Sequence, residues 1–263
     1  MLLTSVILVL QELLEASLII SVLLAFSFHQ GISKYWAIAG LGLGVAGAIL
    51  YADQVEVISE WFDYVGLEVT NAIIQFSLCI FLFVFILAKT ARKTSTEHLK
   101  ILMSIIVALA LTREGFEILL YESGFSADRE QWSPVLLGSA LGAGIGISIG
   151  TLLYYGLISL SPNIGDRVLT LLLALFTGNM AAQGTLLLIQ ADWLPAGAAL
   201  WNTNSLIPES SLIGKLLYAL IGYEASPAGL QVLAYGLIFC LMLAISLWRQ
   251  HLNTTKESNH DIH

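Results

Sequence analysis

The chain has 263 residues, of which 57% are hydrophobic and 11% charged, with a net charge of -8 and a mean hydropathy of +0.82. An ordinary soluble domain carries about 25% charged residues, so this composition excludes a large water-facing domain and points to an integral membrane protein. Eleven basic residues against nineteen acidic ones exclude a nucleic-acid-binding surface, which needs a clustered basic patch.

Seven apolar segments follow in chain order, at 2–28, 36–52, 69–88, 100–121, 134–160, 168–192 and 228–248. Each approaches the roughly 20 residues that one spanning helix needs. The first has no basic flank, and Glu12 and Glu15 interrupt its apolar run, so it is expected to be a retained helix and not a secretory signal. Basic residues orient the set. Lys34, Lys89, Arg92, Lys93, Lys100, Arg167, Arg249 and Lys256 fall after the first, third and fifth segments or in the tail, against Arg129 and Lys215 on the other side. The positive-inside rule then puts the N-terminus outside and the C-terminus in the cytoplasm.

The first three segments are echoed by the next three. Glu12-Leu13-Leu14-Glu15 answers Glu114-Gly115-Phe116-Glu117, Gly47…Tyr51 answers Gly150…Tyr154, and Asn71…Gln75 answers Asn179…Gln183, always 102 to 108 positions later. A unit with an odd number of spans must be inverted in its second copy, which is an architecture of secondary transporters with a midplane site between the copies. The expected fold is therefore an all-α integral membrane protein of seven helices: repeat one over about 1–90, repeat two over about 99–192 and an extra helix over about 228–248. Residues 1–250 form one transmembrane domain, and 251–263 a polar cytoplasmic tail.

Four glutamates inside the spans carry the chemistry. A carboxylate at a helix centre costs about 2.5–3.5 kcal/mol on insertion scales. Glu12 lies roughly 15 Å along its helix, near the middle of a ~30 Å apolar core. The i,i+3 spacing puts Glu12 with Glu15, and Glu114 with Glu117, on one face of each helix. If the repeat brings these helices together, four like charges converge, and such a cluster needs a cation to stay ionised. Carboxylate oxygens are hard ligands. The histidines (His29, His98, His251, His260 and His263) fall in loops or the tail, and Cys79 and Cys240 form no pair, which disfavours zinc or copper. Arg113, at i,i+4 from Glu117, is the charge-balancing residue. Four carboxylates less one guanidinium leave a formal charge of -3, which suits a trivalent ion or a divalent ion plus a proton. Proton carriage or interhelical hydrogen bonding is the alternative role for these glutamates.

Elsewhere, Asp53, Glu56, Glu60 and Asp63 have a 3-4-3 spacing that makes one acidic stripe on a helix, either a cation entrance or a solvated face. Asn71, Gln75, Asn179 and Gln183 offer amides to a pathway or, preferably, to bonds between helices. Met180 is expected to pack. Glycines at 40, 42, 44 and 47 and at 138, 142, 144, 146 and 150 mark close helix crossings. Trp193, Trp201 and Tyr223 in the outer segment 193–226 are interfacial anchors or part of a lid.

Arg-Glu-Gly-Phe-Glu at 113–117 resembles the Arg-Glu-Gly-x-Glu signature of the high-affinity iron permeases, which include fungal oxidase-coupled ferric permeases and bacterial Efe-type permeases. Ser211-Leu-Ile-Gly-Lys-Leu-Leu through Gly222-Tyr223-Glu224-Ala225-Ser226-Pro227 also resembles the bacterial members. The resemblance implies a plasma-membrane permease that is not an enzyme, imports Fe3+ or Fe2+ as its substrate with no permanently bound cofactor, and ligates it with Glu12, Glu15, Glu114 and Glu117. Its expected partners are the iron ion, the lipid bilayer and an extracytoplasmic oxidase or iron-binding protein. In the first copy Gln11 replaces the Arg and Leu13 the Gly, so that half of the site lacks one positive charge and one small residue. The competing readings are a permease for another divalent metal such as manganese, and an intramembrane metalloenzyme.

Overall fold

The structure, a computed structural model, describes residues 1–90, 95–126 and 129–260; Arg92, Lys93 and His263 lie outside the described residues. All of its regular elements there are helical: α1 (Leu2–His29), α2 (Tyr35–Asp53), α3 (Val55–Ser59), α4 (Trp61–Tyr64), α5 (Gly66–Thr90), α6 (Thr96–Ser123), α7 (Arg129–Ile158), α8 (Pro162–Gln190), α9 (Leu212–Ile221) and α10 (Gly229–His260). Six of them (α1, α2, α5, α7, α8 and α10) are long and apolar enough to cross a membrane. The α6 helix has 28 residues, long enough to span, and differs from those six in carrying Arg113, Glu114 and Glu117 within its run. Ser95 starts it by accepting the Glu97 amide, as an N-cap should.

Helices pair across the chain and not only with sequence neighbours. The α1 helix lies along α7, α2 along α6, and α5 and α10 along α8, with α1 meeting α6 inside the bundle. Small residues make the two long crossings possible. A side chain at Gly142 would sit 2.5 Å from the Val6 carbonyl and 2.9 Å from the Leu10 amide, and one at Gly150 would meet Ser17 at 2.8 Å. Gly44 similarly faces Leu111 and Ala108 of α6. Hydroxyls from the facing helix add hydrogen bonds to the opposing carbonyls: Ser17 Oγ to Gly146 O at 3.0 Å, Ser21 Oγ to Gly150 O at 2.7 Å and Thr112 Oγ1 to Gly44 O at 3.4 Å. Gly42 and Gly144 are exceptions to the expected crossings, with no neighbour within 4 Å of an added side chain. Leu13 and Gly115 both allow close approach, by different means. Leu13 packs on Gly146 of α7, whereas Gly115 packs on Ala48 of α2, so in the first copy the glycine sits on the partner helix.

The interior is formed by α1, α8 and the inner faces of α5 and α6, where Leu14, Leu18, Val22, Leu78, Leu82, Phe85, Met103, Ile106 and Leu173 are buried. Met180 belongs to the same core, as expected. The outer faces of α2, α7 and α10 expose Ile38, Leu43, Ile49, Leu137, Ile147, Leu152, Leu233 and Leu237. Apolar surface on that scale is stable against lipid and not against water.

Two expectations are corrected. Asp53, Glu56, Glu60 and Asp63 are all exposed but do not form a helical stripe. The chain breaks into α2, α3 and α4, and Phe62, Asp63 and Tyr64 take left-handed backbone with φ of 54°, 63° and 69°. Left-handed conformations end a right-handed helix and turn Asp63 out of register with the other acids. Helix α10 runs through His260 and does not end near 248 as expected, so the backbone of the polar tail continues the last helix to that point.

Candidate metal centre

The i,i+3 carboxylates of α1 and the charged motif of α6 face one another where these helices pack. Around them the structure gathers Glu12, Glu15, Arg113, Glu114 and Glu117. Arg113 Nη1 donates to both Glu114 oxygens at 2.8 Å and lies 3.6 Å from Glu15 Oε2. Its Nη2 lies 2.9 Å from Glu117 Oε1. The Glu12 and Glu114 carboxyl groups are close neighbours. Glu12, Glu15, Arg113 and Glu114 are buried, while the Glu117 side chain keeps 30% of its surface exposed.

The Arg113 guanidinium lies among the carboxylates of Glu15, Glu114 and Glu117. Among the described residues no three His, Cys, Asp or Glu side chains close on a common point as a ready metal cage. The arrangement is a carboxylate ring drawn onto Arg113 by charge-assisted bonds, with Arg113 Nε buried and without a hydrogen-bond partner. Such a ring could accept a cation by exchanging guanidinium contacts for metal–oxygen contacts.

The amides act between helices. Gln75 Nε2 of α5 donates to Gln183 Oε1 of α8 at 2.5 Å, and Gln183 Nε2 donates to Glu15 Oε2 at 3.1 Å. Asn71 accepts from the Tyr51 hydroxyl at 3.1 Å, and Asn179 donates to the Tyr218 carbonyl at 3.5 Å. Tyr51 stacks on Phe116 with ring centroids 3.8 Å apart, which fixes the helix face carrying the second pair of glutamates. Gln183 thus makes the bonds between helices that were preferred for these amides and also holds the Glu15 carboxylate.

Two cavities approach the cluster from the end of the bundle where α1 begins and α6 and α8 finish. One, of about 350 Å³, is lined by Leu8, Glu12, Leu67, Asn71, Glu117 and Tyr121. The other, of about 590 Å³, is bounded by Gln11, Glu209, Lys215, Tyr218, Glu224 and Gln231 among others. Asp53, Glu56, Glu60 and Asp63 line neither.

Residues 193–226 supply a feature that the sequence reading did not find. Within them α9 is capped by Ser211, which accepts the Gly214 amide at 3.0 Å, and is closed by left-handed Gly222. It packs on α1 and α8, and Lys215 Nζ donates to Gln11 Oε1. The signal was present in an N-cap serine and a terminal glycine bracketing an apolar run with a single lysine. Burial, reinforced by the nearby Glu15, raises the Tyr218 phenol well above its usual range, so it stays a neutral hydroxyl beside the acids. Burial also raises the Glu224 carboxyl, opposed by the Gln231 amide and reinforced by Glu209. The anchoring role expected for Trp193, Trp201 and Tyr223 is partly one of loop closure. Trp201 donates to the Glu224 carbonyl at 3.3 Å, Tyr223 bonds Thr203 and Ile207, and Trp193 packs edge-on against Phe62.

The profile of the iron permease FTR1 family matches residues 2–249. The ferrous iron permease EfeU of Escherichia coli is 23% identical over 244 residues, covering 85% of this chain and 87% of that protein. An uncharacterized protein of Synechocystis sp. is 24% identical over 160 residues, covering 53% of this chain and 51% of that protein, so that match spans about half of each. No solved structure matches. The apolar helices and the near-complete family match identify a multi-pass protein of the plasma membrane. The chain therefore belongs to the iron permease FTR1 family.

Proposed function

We propose that this protein imports iron through the glutamate cluster between α1 and α6. The observation that carries the reading is the convergence of Glu15, Glu114 and Glu117 on one guanidinium with Glu12 beside them, Glu12 and Glu117 lining an open cavity. Acidic side chains at that depth are costly in a static scaffold, where apolar residues would be cheaper.

In this reading α6 also spans, as the fourth of seven helices in chain order, and residues of about 1–90 and 99–192 are inverted copies within one permease domain. The pairing of α1 with α7 and of α2 with α6 supports the exchange of copies, as does the Gln75–Gln183 bond between equivalent positions. The N-terminus faces outside, which puts both cavities on the outer side. Iron arrives through the smaller cavity and meets Glu12 and Glu117 first. It then exchanges its water for carboxylate oxygens as Arg113 gives up its contacts, and Gln183 holds Glu15 in place. Protonation of a glutamate, with Arg113 returning to the remaining carboxylates, releases the ion inward once the repeats move. The likeness to a ferrous iron permease favours Fe2+; the net charge of -3 also accommodates Fe3+.

Uptake of radiolabelled iron, kept ferrous with ascorbate or ferric with citrate, into proteoliposomes tests the proposal. Glu114→Ala and Glu117→Ala should each abolish uptake while inserting normally. Normal transport by both variants refutes the site, and stronger competition by manganese than by unlabelled iron assigns it to another divalent metal.

A further inference from the structure

The two copies of the charged motif are not balanced alike. In the second, Arg113 is part of the spanning helix and holds Glu114 and Glu117 directly. In the first, the position before Glu12 is Gln11, which carries no charge. The structure supplies the missing cation from elsewhere. Lys215, 204 residues away on α9, donates to Gln11 Oε1, and its helix is seated on α1 by packing, by the Ser211 cap and by the left-handed Gly222.

We propose that Lys215 is a tethered counter-cation that completes the charge balance of the α1 half of the site and sets its affinity and selectivity for metal ions; this rests on the iron-permease reading above. Its ammonium is separated from the Glu15 carboxyl by one helical turn and a side chain, roughly 10 Å. It is carried on a connecting helix and lines a cavity of about 590 Å³, so a cation at the glutamates meets its repulsion through partly screened surroundings. Arg113 is ion-paired with its carboxylates, whereas Lys215 holds the uncharged Gln11 amide and can withdraw into the cavity. There Glu209 and Glu224 offer it alternative partners on the same wall. Tyr218, one turn along from Lys215 on α9, carries the neutral hydroxyl that faces the same carboxylates. Thus one short helix presents both a cation and a proton-bearing group to the first copy.

The expected magnitude follows from the charge. A unit charge about 10 Å from a divalent ion changes binding on the order of tenfold at an effective dielectric between the protein-surface value and that of water. Uptake of radiolabelled ferrous iron into proteoliposomes, with manganese as competitor, reads it directly. Lys215→Gln should lower the KM for iron about tenfold and strengthen competition by manganese. Lys215→Arg, which keeps the charge and the donor, should behave as the parent protein, and Gln11→Arg combined with Lys215→Gln should restore the parent KM by placing the cation on α1. Gln11→Arg with Lys215 retained adds a second cation and should raise the KM; this variant decides the matter if Lys215→Gln fails to insert. An unchanged KM and unchanged competition in Lys215→Gln and in Gln11→Arg, with Glu114→Ala inactive in the same assay, would overturn the role of Lys215 and leave the permease site standing. Normal uptake by Glu114→Ala and Glu117→Ala would remove the site itself, and the proposal with it.

Discussion

Replacing Arg113 by Gln separates a structural guanidinium from an exchangeable one. Arg113 touches three carboxylates, at 2.8 Å for Glu114, 2.9 Å for Glu117 and 3.6 Å for Glu15, and Glu15 and Glu114 are almost wholly buried. Removing one partner from a buried ion pair costs about 3–5 kcal/mol, because the remaining charge stays desolvated without compensation. At a few degrees per kcal/mol for a chain of this size, the melting temperature should fall by roughly 6–20 °C. A cation that binds the vacated ring opposes that loss, and at a hundred times its Kd it contributes about 2.7 kcal/mol. In the parent protein the ion must first displace the guanidinium, so added iron should protect the variant more than the parent. Thermal unfolding in detergent, followed by the fluorescence of the six tryptophans with and without ferrous iron, measures both effects. If the metal-free variant melts with the parent, or iron protects the two equally, the guanidinium does not occupy the ion's position and the exchange mechanism is wrong.

The helix crossings give a paired test. Gly142→Val should prevent close packing of α7 on α1, because the added carbon would meet the backbone of Val6 and Leu10, whereas Gly144→Val should be tolerated because nothing lies within 4 Å. Overpacking of this kind costs about 1–3 kcal/mol or more, and equal melting temperatures for the two variants would contradict the crossing. Glu224 gives a pH signature. Its carboxyl is raised in the folded chain by burial, so the folded state holds its proton longer than the unfolded state does. Stability from this residue is complete below the ordinary carboxylate range and is lost as pH rises through the interval up to the raised value. Glu224→Gln should therefore match the parent near pH 4 and exceed its melting temperature increasingly toward pH 7; a difference independent of pH would refute this.

Much of the site could be read from residue order, because charge inside an apolar run is costly enough to demand a reason. Glu12 with Glu15, and Glu114 with Glu117, each share a helix face by spacing alone, and Arg113 follows as their local counter-charge. The helices themselves were largely legible: the apolar segments matched α1, α2, α5 and α6 within a few residues, α7 and α8 began five or six residues earlier than expected, and α10 ran twelve residues past the expected end at 248. The acidic residues at 53–63 misled, since a 3-4-3 spacing makes a stripe only while the backbone stays right-handed, and Phe62, Asp63 and Tyr64 leave that region.

What depended on tertiary structure was every relation between distant segments. Residue types mark Gly146 as a small residue, yet only the packed pair shows that it makes room for Leu13. Gln183 could have faced a pore or another helix, and the assembled bundle gives it both Gln75 and Glu15. Local pattern carries the cost of burying a charge, which belongs to one helix at a time. The partner of a buried polar group comes from whichever side chain the fold delivers, and for Gln11 that side chain, Lys215, lay 204 positions away on a helix that no spanning pattern announced.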